Sequence, residues 1–253
     1  ITGASQGFGL SLAENLCRSG YKVTICARNE ERLSEAVSKL EVLEGRIIGI
    51  PLDISECIEF SKLSSQQIQS MFGVNLTGAT VFTRLAINYL NSEAQILFVS
   101  SLSAAIPVFG LGIYSVTKAA LLTLVDVLNI ELSAKNITAR AIVPGDIDTP
   151  GYKKQLSQQS PITAIISSTV APKTSDNLAK LVVPQILKKE RANIYPGLVG
   201  KCLQISTDPV PEDSYIKCIL FLLLVIPVKL LVSFVRKFHM NIVKKQARED
   251  TES

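Results

Sequence analysis

The order of turns, helices and strands in the N-terminal part of this chain restricts it to few folds. A glycine-rich turn with Gly3, Gly7 and Gly9 leads into a stretch in which apolar residues have helical spacing, and β-branched residues then predict a strand. A second helix and a second strand follow, so the predicted elements are a helix at 10–19, a strand at 21–27, a helix at 29–43 and a strand at 46–52. Helices alternating with strands in this way predict an α/β fold with a doubly wound parallel sheet in three layers.

One strand-helix unit is missing from this order. The interval between Asp53 and Asn75 is too short for a helix of about 10–14 residues, a strand of about 5–6 residues and their loops, and it contains no β-rich run. We therefore expect the sheet to lack this internal unit as well as a first strand before Ile1. Farther along we expect helices at 66–75, 79–90 and 114–132, strands at 95–100 and 138–143, and a loop-like region at 151–213 with one helix near 176–189.

An apolar segment lies near the C-terminal end. The 18 residues from Cys218 to Val235 contain one charge, that of Lys229, which is close to the shortest length that spans a membrane. A basic flank typical of the cytoplasmic side follows, consisting of Arg236, Lys237, Lys244, Lys245 and Arg248. We predict a domain at 1–213 and a membrane-associated segment with a basic tail at 214–253, the alternative being a pair of buried helices.

Composition excludes several classes of function. The net charge of +4 is too small to indicate a nucleic-acid partner, and the five cysteines show no spacing typical of a metal site or a C-x-x-C pair. A reducing compartment is therefore expected, with the cysteines as small buried apolar residues. The only histidine is His239, so neither a Ser-His-Asp hydrolase nor a histidine-ligated metal is expected.

A tyrosine and a lysine one helical turn apart are the strongest indication of chemistry. Tyr114 and Lys118 are four residues apart in a predicted helix, so their side chains share one face. A phenol keeps its proton up to a pH of about 10, and a neighbouring ammonium group makes the phenolate easier to form. Such a pair can transfer a proton near neutral pH, and the hydroxyl of Ser101 could hold a substrate carbonyl.

The glycine-rich turn and the second strand predict a nucleotide site. The turn lets the backbone approach a pyrophosphate at a helix N-terminus, although glycines needed only for a tight turn are the alternative. Arg28 follows the second strand, where an NAD site usually has an acidic residue, and an arginine there suits a 2′-phosphate. Arg28, assisted by Arg32, therefore predicts NADPH, unless Arg28 is simply a solvated residue at the start of a helix.

Taken together, these motifs resemble the short-chain dehydrogenase/reductase family over about residues 1–150. The residues 2–9, Asp53, Asn75 and the Pro144-Gly145 turn occur with Ser101, Tyr114 and Lys118 in the order of that family. The resemblance implies a Rossmann-like fold in which Tyr114 is the acid/base. Lys118 then lowers the pKa of the tyrosine and holds the nicotinamide ribose, Ser101 positions the carbonyl, and Asn75 supports a water of a proton relay.

The same resemblance implies a cofactor site. Asp53 is expected beside the adenine and Thr149 near the carboxamide. The expected cofactor-binding residues are Gly3, Ser5, Gln6, Gly7, Phe8, Gly9, Arg28, Asn29, Arg32, Asp53, Tyr114, Lys118, Pro144, Gly145, Ile147 and Thr149.

Within the family, the chain resembles the reductases of long-chain 3-keto sphingoid bases. Three features support this: the segments 26–33 and 144–152, and the apolar C-terminal segment. The resemblance implies NADPH, a lipophilic ketone as substrate, and attachment to membrane lipids of the endoplasmic reticulum with the catalytic domain facing the cytosol, in a chain that could form a homo-oligomer. A steroid or retinoid substrate is one alternative, and an incomplete domain that only binds partners is another.

Overall fold

The structure is a computed structural model of the chain. It describes residues 1, 3–27, 29–41, 43, 47–51, 63–168, 170–188, 193–207 and 215–252, with the backbone alone at 48–51, 154, 158, 205–207, 215–222 and 247–252. Arg28, Asp53 and most of the interval in which the sequence predicts a missing unit therefore lie outside the described residues.

Helices alternate with parallel strands, which confirms the α/β class. The N-terminal elements are α1 (Gly7–Arg18), β1 (Val23–Ala27), α2 (Glu30–Leu40) and β2 (Ile47–Pro51). Then come α3 (Ser65–Phe72), a π-helical segment (Gly73–Gly78), α4 (Ala79–Ala86), β3 (Gln95–Val99), α5 (Gly112–Glu131) and β4 (Thr138–Ile142). The remainder comprises β5 (Ile147–Asp148), α6 (Pro150–Gln158), α7 (Pro161–Ser167), β6 (Lys173–Thr174), α8 (Ser175–Leu187), α9 (Leu198–Thr207) and α10 (Tyr215–Glu252).

The longer strands form two parallel pairs. Val23 lies opposite Ile47 in the pair β1–β2, and Gln95 lies opposite Thr138 in the pair β3–β4. Within the described residues, no strand ladder joins one pair to the other. The second pair is extended by Ile194, whose amide donates to the carbonyl of Ala141 at 2.7 Å.

An apolar cluster connects the two pairs through helices. Phe8 and Leu12 of α1 pack with Leu178 and Val182 of α8 and with Ile142 of β4, all of them buried. On its other side α1 packs against β1 in a second cluster. The glycine-rich turn at the start of α1 is therefore held next to the second strand pair.

The prediction of a mainly loop-like region at 151–213 is wrong. The expected helix near 176–189 is confirmed as α8, but α6, α7, β6 and α9 also form there. Thr149 caps α6, its hydroxyl accepting from the amide of Tyr152 at 3.0 Å, and Ser160 caps α7 in the same way. Each cap is followed by a proline at the first helical position, where its fixed φ is favourable.

The C-terminal segment is one helix of 38 residues, α10, rather than a pair of helices. Its partly or fully buried residues recur every three or four positions, at Val225, Val228, Val232, Val235 and His239, and Val232 packs against the core around α5 and β4. The opposite face exposes large apolar side chains: Leu223, Leu224, Ile226, Leu230, Leu231, Phe234, Phe238 and Met240. We call this second set the outer face of α10.

Among the described residues, one helix has the length and composition to cross a membrane, namely α5 (Gly112–Glu131), of which 33% is buried. Leu121, Val125 and Leu128 of α5 pack in the core against β3 and β4. The apolar segment 218–235 includes residues whose side chains are not described, so its membrane association stays a prediction. The cysteines Cys17 and Cys26 are free and buried, as expected, whereas Cys202 is free and only partly buried.

Replacing Leu178 in α8 tests the cluster that connects the two strand pairs. Leu178 is 1% exposed, whereas Leu181 of the same helix is 45% exposed. We expect Leu178→Ala to lower the free energy of unfolding by about 2–5 kcal/mol, because it leaves a cavity, and Leu181→Ala to change it by about 0.5 kcal/mol or less. Urea unfolding followed by circular dichroism measures both, and equal effects would contradict this account of the core.

Candidate active site

Tyr114 and Lys118 lie together at the start of α5, as the spacing predicts. The Nζ atom of Lys118 is 5.5 Å from the centroid of the Tyr114 ring, within the range of a cation–π contact. Nζ also donates to the carbonyl of Val99, the last residue of β3, at 3.0 Å. Burial lowers the pKa of the Lys118 ammonium to about 8. The lysine is therefore fixed beside the phenol ring by a neighbouring strand.

Ser101 lies in the loop that follows β3, beside the start of α5. Its Oγ accepts from the amide of Ser103 at 3.2 Å, which leaves the hydroxyl hydrogen free to point elsewhere. The preceding residue, Ser100, donates from its hydroxyl to the carbonyl of Lys118 at 2.8 Å. The amide of Leu102 donates to the carbonyl of Pro144 at 2.9 Å. The loop is thereby connected both to α5 and to the Pro144-Gly145 turn.

Asn75 lies in the π-helical segment between α3 and α4. Its side-chain amide donates to the hydroxyl of Thr117 at 3.1 Å, and the same hydroxyl donates to the carbonyl of Tyr114 at 2.8 Å. Thr117 is completely buried. Turns of π-helix occur often at functional sites, and here the segment brings Asn75 to the helix that bears Tyr114. Thr117 is a positioning residue that sequence reasoning missed.

The glycine-rich turn has the geometry that its glycines suggest. Gly3 and Gly7 have φ of 66° and 60°, a region that residues with a Cβ rarely adopt. A Cβ at Gly9 would lie 2.7 Å from the carbonyl oxygen of Gly3, so only glycine fits there. Ser5 and Gln6 precede the N-terminus of α1, whose free amides suit an anion. The turn therefore fits the pyrophosphate of a dinucleotide.

Phe8 has a different position from the other residues of the turn. The residue is 6% exposed and packs in the cluster between α1 and α8, so any contact with a cofactor would come from its backbone.

Arg32, in the first turn of α2, reaches the glycine-rich turn with its side chain. Its Nη1 lies 3.4 Å from Oε1 of Gln6, which brings a guanidinium group to the glycine turn. Asn29 caps α2, its Oδ1 accepting from the amide of Arg32 at 2.8 Å. An arginine in this position is suitable for a 2′-phosphate, while Arg28 and Asp53 lie outside the described residues.

The segment from Pro144 to Thr149 runs between the serine loop and the glycine turn. At one end, a Cβ at Gly145 would lie 3.4 Å from Cδ1 of Leu102. At the other end, a Cβ at Gly7 would lie 2.8 Å from Cγ2 of Thr149. Between them Ile147 pairs with Lys173 in the short ladder β5–β6. The structure thus brings the serine loop and the glycine turn to the two ends of one segment.

Comparison with known proteins agrees with this arrangement. The model of the short chain dehydrogenase family matches residues 1–62 and 55–160. The chain belongs to the short chain dehydrogenase family. The two matched parts overlap at residues 55–62, inside the interval in which the sequence predicts a missing strand-helix unit.

Two curated proteins are similar to most of the chain. The 3-dehydrosphinganine reductase TSC10B of Arabidopsis thaliana is 27% identical over 247 residues, covering 85% of this chain and 74% of that protein. The 3-ketodihydrosphingosine reductase of Bos taurus is 29% identical over 222 residues, covering 72% and 66%. Among solved structures, a short chain dehydrogenase from Burkholderia cenocepacia in complex with NADP has a TM-score of 0.64 and 23% identity, covering 72% of this chain and 87% of that one. The structural likeness confirms the Rossmann-like fold.

The burial of Lys118 predicts how the stability of this chain depends on pH. Its pKa is about 8 in the folded chain and 10.5 when unfolded, so between these values the unfolded state binds more protons and stability rises with pH. Relative to Lys118→Met, the wild type should gain on the order of 3 kcal/mol of unfolding free energy between pH 8 and 10.5.

Urea unfolding of both proteins at a series of pH values measures this difference. The exposed Lys135 provides a matched control, since Lys135→Met should keep a constant offset from the wild type. A constant offset for Lys118→Met as well would show that the ammonium is not buried.

Proposed function

We propose that this chain catalyses the NADPH-dependent reduction of 3-ketodihydrosphingosine, a long-chain 3-keto sphingoid base, to dihydrosphingosine. The observation that carries the proposal is the contact of Lys118 with the Tyr114 ring, beside a loop that carries Ser101 and is bound to the same helix through Ser100. Relatives of the chain are named as reductases of this ketone. A carbonyl reduction needs a hydride, a proton and a group that fixes the carbonyl oxygen, and Tyr114, Lys118 and Ser101 supply the last two requirements.

Each of the three side chains has a distinct task. The hydroxyl of Tyr114 gives its proton to the carbonyl oxygen as negative charge develops there. Ser101 donates a hydrogen bond to the same oxygen and fixes its position. Lys118, 5.5 Å from the ring centroid, stabilises the phenolate that remains after the proton has left. The nicotinamide, when bound, supplies the hydride that reduces the carbonyl carbon.

The features of the glycine turn support NADPH as the cofactor. The positive φ angles of Gly3 and Gly7 and the N-terminus of α1 suit the pyrophosphate. Arg32 beside Gln6 suits the additional phosphate that distinguishes NADPH from NADH. The similar structure from Burkholderia cenocepacia contains NADP.

We also propose that the outer face of α10 lies on the cytosolic surface of the endoplasmic reticulum membrane. A helix with one docked face and one exposed apolar face is suited to lie in the membrane interface, and the exposed Lys237, Lys244 and Lys245 would attract anionic headgroups. Arg236 donates from Nη2 to the carbonyl of Ala105 at 2.8 Å, in the loop that begins with Ser101. A membrane contact of α10 would therefore place the serine loop close to a lipid substrate.

Replacing the tyrosine tests the reductase proposal directly. Tyr114→Phe removes the proton donor but keeps the ring, so NADPH oxidation with 3-ketodihydrosphingosine should fall by at least about a hundredfold. The thermal shift caused by NADPH should persist, since the glycine turn is unchanged. Tyr89→Phe, at an 87% exposed tyrosine, is the matched control and should keep full activity.

The same assays distinguish the alternatives. Faster turnover of steroid or retinal ketones than of the keto sphingoid base would contradict the proposed substrate and support the steroid or retinoid alternative. A wild-type chain with neither turnover nor an NADPH-induced thermal shift would identify the incomplete domain that only binds partners.

Polar substitutions on α10 test the proposed membrane contact. The double variant Leu230→Ser/Phe234→Ser should lower the partition coefficient to vesicles of phosphatidylcholine and phosphatidylserine by about tenfold or more, because each large apolar side chain contributes about 1.5–3 kcal/mol when buried. Ile130→Ser, at a 76% exposed position of α5, should leave sedimentation with vesicles unchanged. Equal partitioning of the double variant and the wild type would contradict the proposal.

A further inference from the structure

A partly buried carboxylate lies on the segment that connects the serine loop to the glycine turn. Asp146 follows the Pro144-Gly145 turn, and its Oδ2 accepts from the hydroxyl of Tyr152 at 3.3 Å. Its carbonyl accepts from the amide of Lys173 at 3.0 Å, which holds the backbone at this point in place. Tyr152 of α6 therefore orients the side chain of Asp146, while the strand ladder β5–β6 fixes its backbone.

Among the described residues, no cation forms an ion pair with Asp146, although a neighbouring aspartate has one. Asp148, two positions along, pairs with Nζ of Lys153 at 3.3 Å on the exposed side of the segment. Burial raises the pKa of the Asp146 carboxyl above its usual value, while the hydrogen bond from Tyr152 acts in the opposite direction. A cation brought to this carboxylate would therefore compensate for its desolvation.

Asp146 directly follows the two residues that contact the serine loop. The carbonyl of Pro144 accepts from the amide of Leu102, and Gly145 lies against the Leu102 side chain. Leu102 is the residue directly after Ser101. Asp146 is therefore adjacent in the chain to residues that contact the loop of Ser101, the side chain to which the proposed function assigns the carbonyl oxygen.

The proposed substrate, 3-ketodihydrosphingosine, has a cationic group next to its carbonyl. A 3-keto sphingoid base carries an ammonium group on the carbon next to the carbonyl, whereas a steroid or retinal ketone has none. We propose that Asp146, oriented by Tyr152, binds this ammonium and selects amino ketones over neutral ketones. The inference rests on the proposed reductase function and adds to it the residue that determines the substrate class.

Kinetics with two substrates test this role. The first is 3-ketodihydrosphingosine, and the second is the same long-chain hydroxyketone without the amino group. Asp146→Asn should raise KM for the amino ketone about 10–100-fold, the size expected for a hydrogen bond between charged groups, and change kcat little. KM for the neutral ketone should stay the same. Tyr152→Phe should raise KM for the amino ketone by a smaller factor, because it only orients the carboxylate.

Asp148→Asn is the matched control, since it removes a carboxylate of the same segment whose partner is Lys153. It should leave KM unchanged for both substrates. An unchanged KM of Asp146→Asn for the amino ketone, or an equal rise for both ketones, would overturn the assignment of Asp146 and leave the reductase function standing. A wild-type chain that reduces neither substrate would overturn the proposed function and this inference together.

Discussion

The packing of α1 against α8 is the contact on which the rest of this structure depends. The two parallel strand pairs are not joined to each other within the described residues, so helices have to connect them. Phe8 and Leu178 are at the centre of this contact, α1 also packs on β1, and α8 packs with β4. Apolar burial therefore keeps the glycine turn beside Thr149, and the segment from Pro144 to Thr149 connects it to the serine loop.

Backbone groups hold the proton-transfer residues in place. Lys118 binds the carbonyl of Val99, Ser100 binds the carbonyl of Lys118, and Thr117 binds the carbonyl of Tyr114 while it accepts from Asn75. Since backbone positions are fixed by helices and strands, these contacts limit the motion of the side chains more than contacts among long flexible side chains would. Desolvation of Lys118 is the energetic cost of this arrangement.

Local sequence signals predicted the strand-helix order and the Tyr114–Lys118 pair, because both follow from spacing along the chain. The helices α6 and α7 were missed although Thr149-Pro150 and Ser160-Pro161 are recognisable start signals, since α6 is mostly polar and α7 has only seven residues. The contact between Asn75 and Thr117 and the burial of Phe8 could not be predicted, because they depend on how distant segments pack. The family resemblance located the site residues but gave no information on such contacts.

The π-helical segment at Gly73–Gly78 affects how this part of the chain can be compared with its relatives. A turn of π-helix takes up about one residue more than a turn of α-helix, so the faces of α3 and α4 differ by about 100° from those of one continuous helix. Met71 is buried in α3 and Thr83 is buried in α4. Because of the π-helical turn between them, the angle between these two side chains about the helix axis differs by about 100° from that in a continuous α-helix. A sequence alignment that deletes one residue within this segment would treat it as α-helix. It would then assign the wrong helix face to the positions on one side of Asn75.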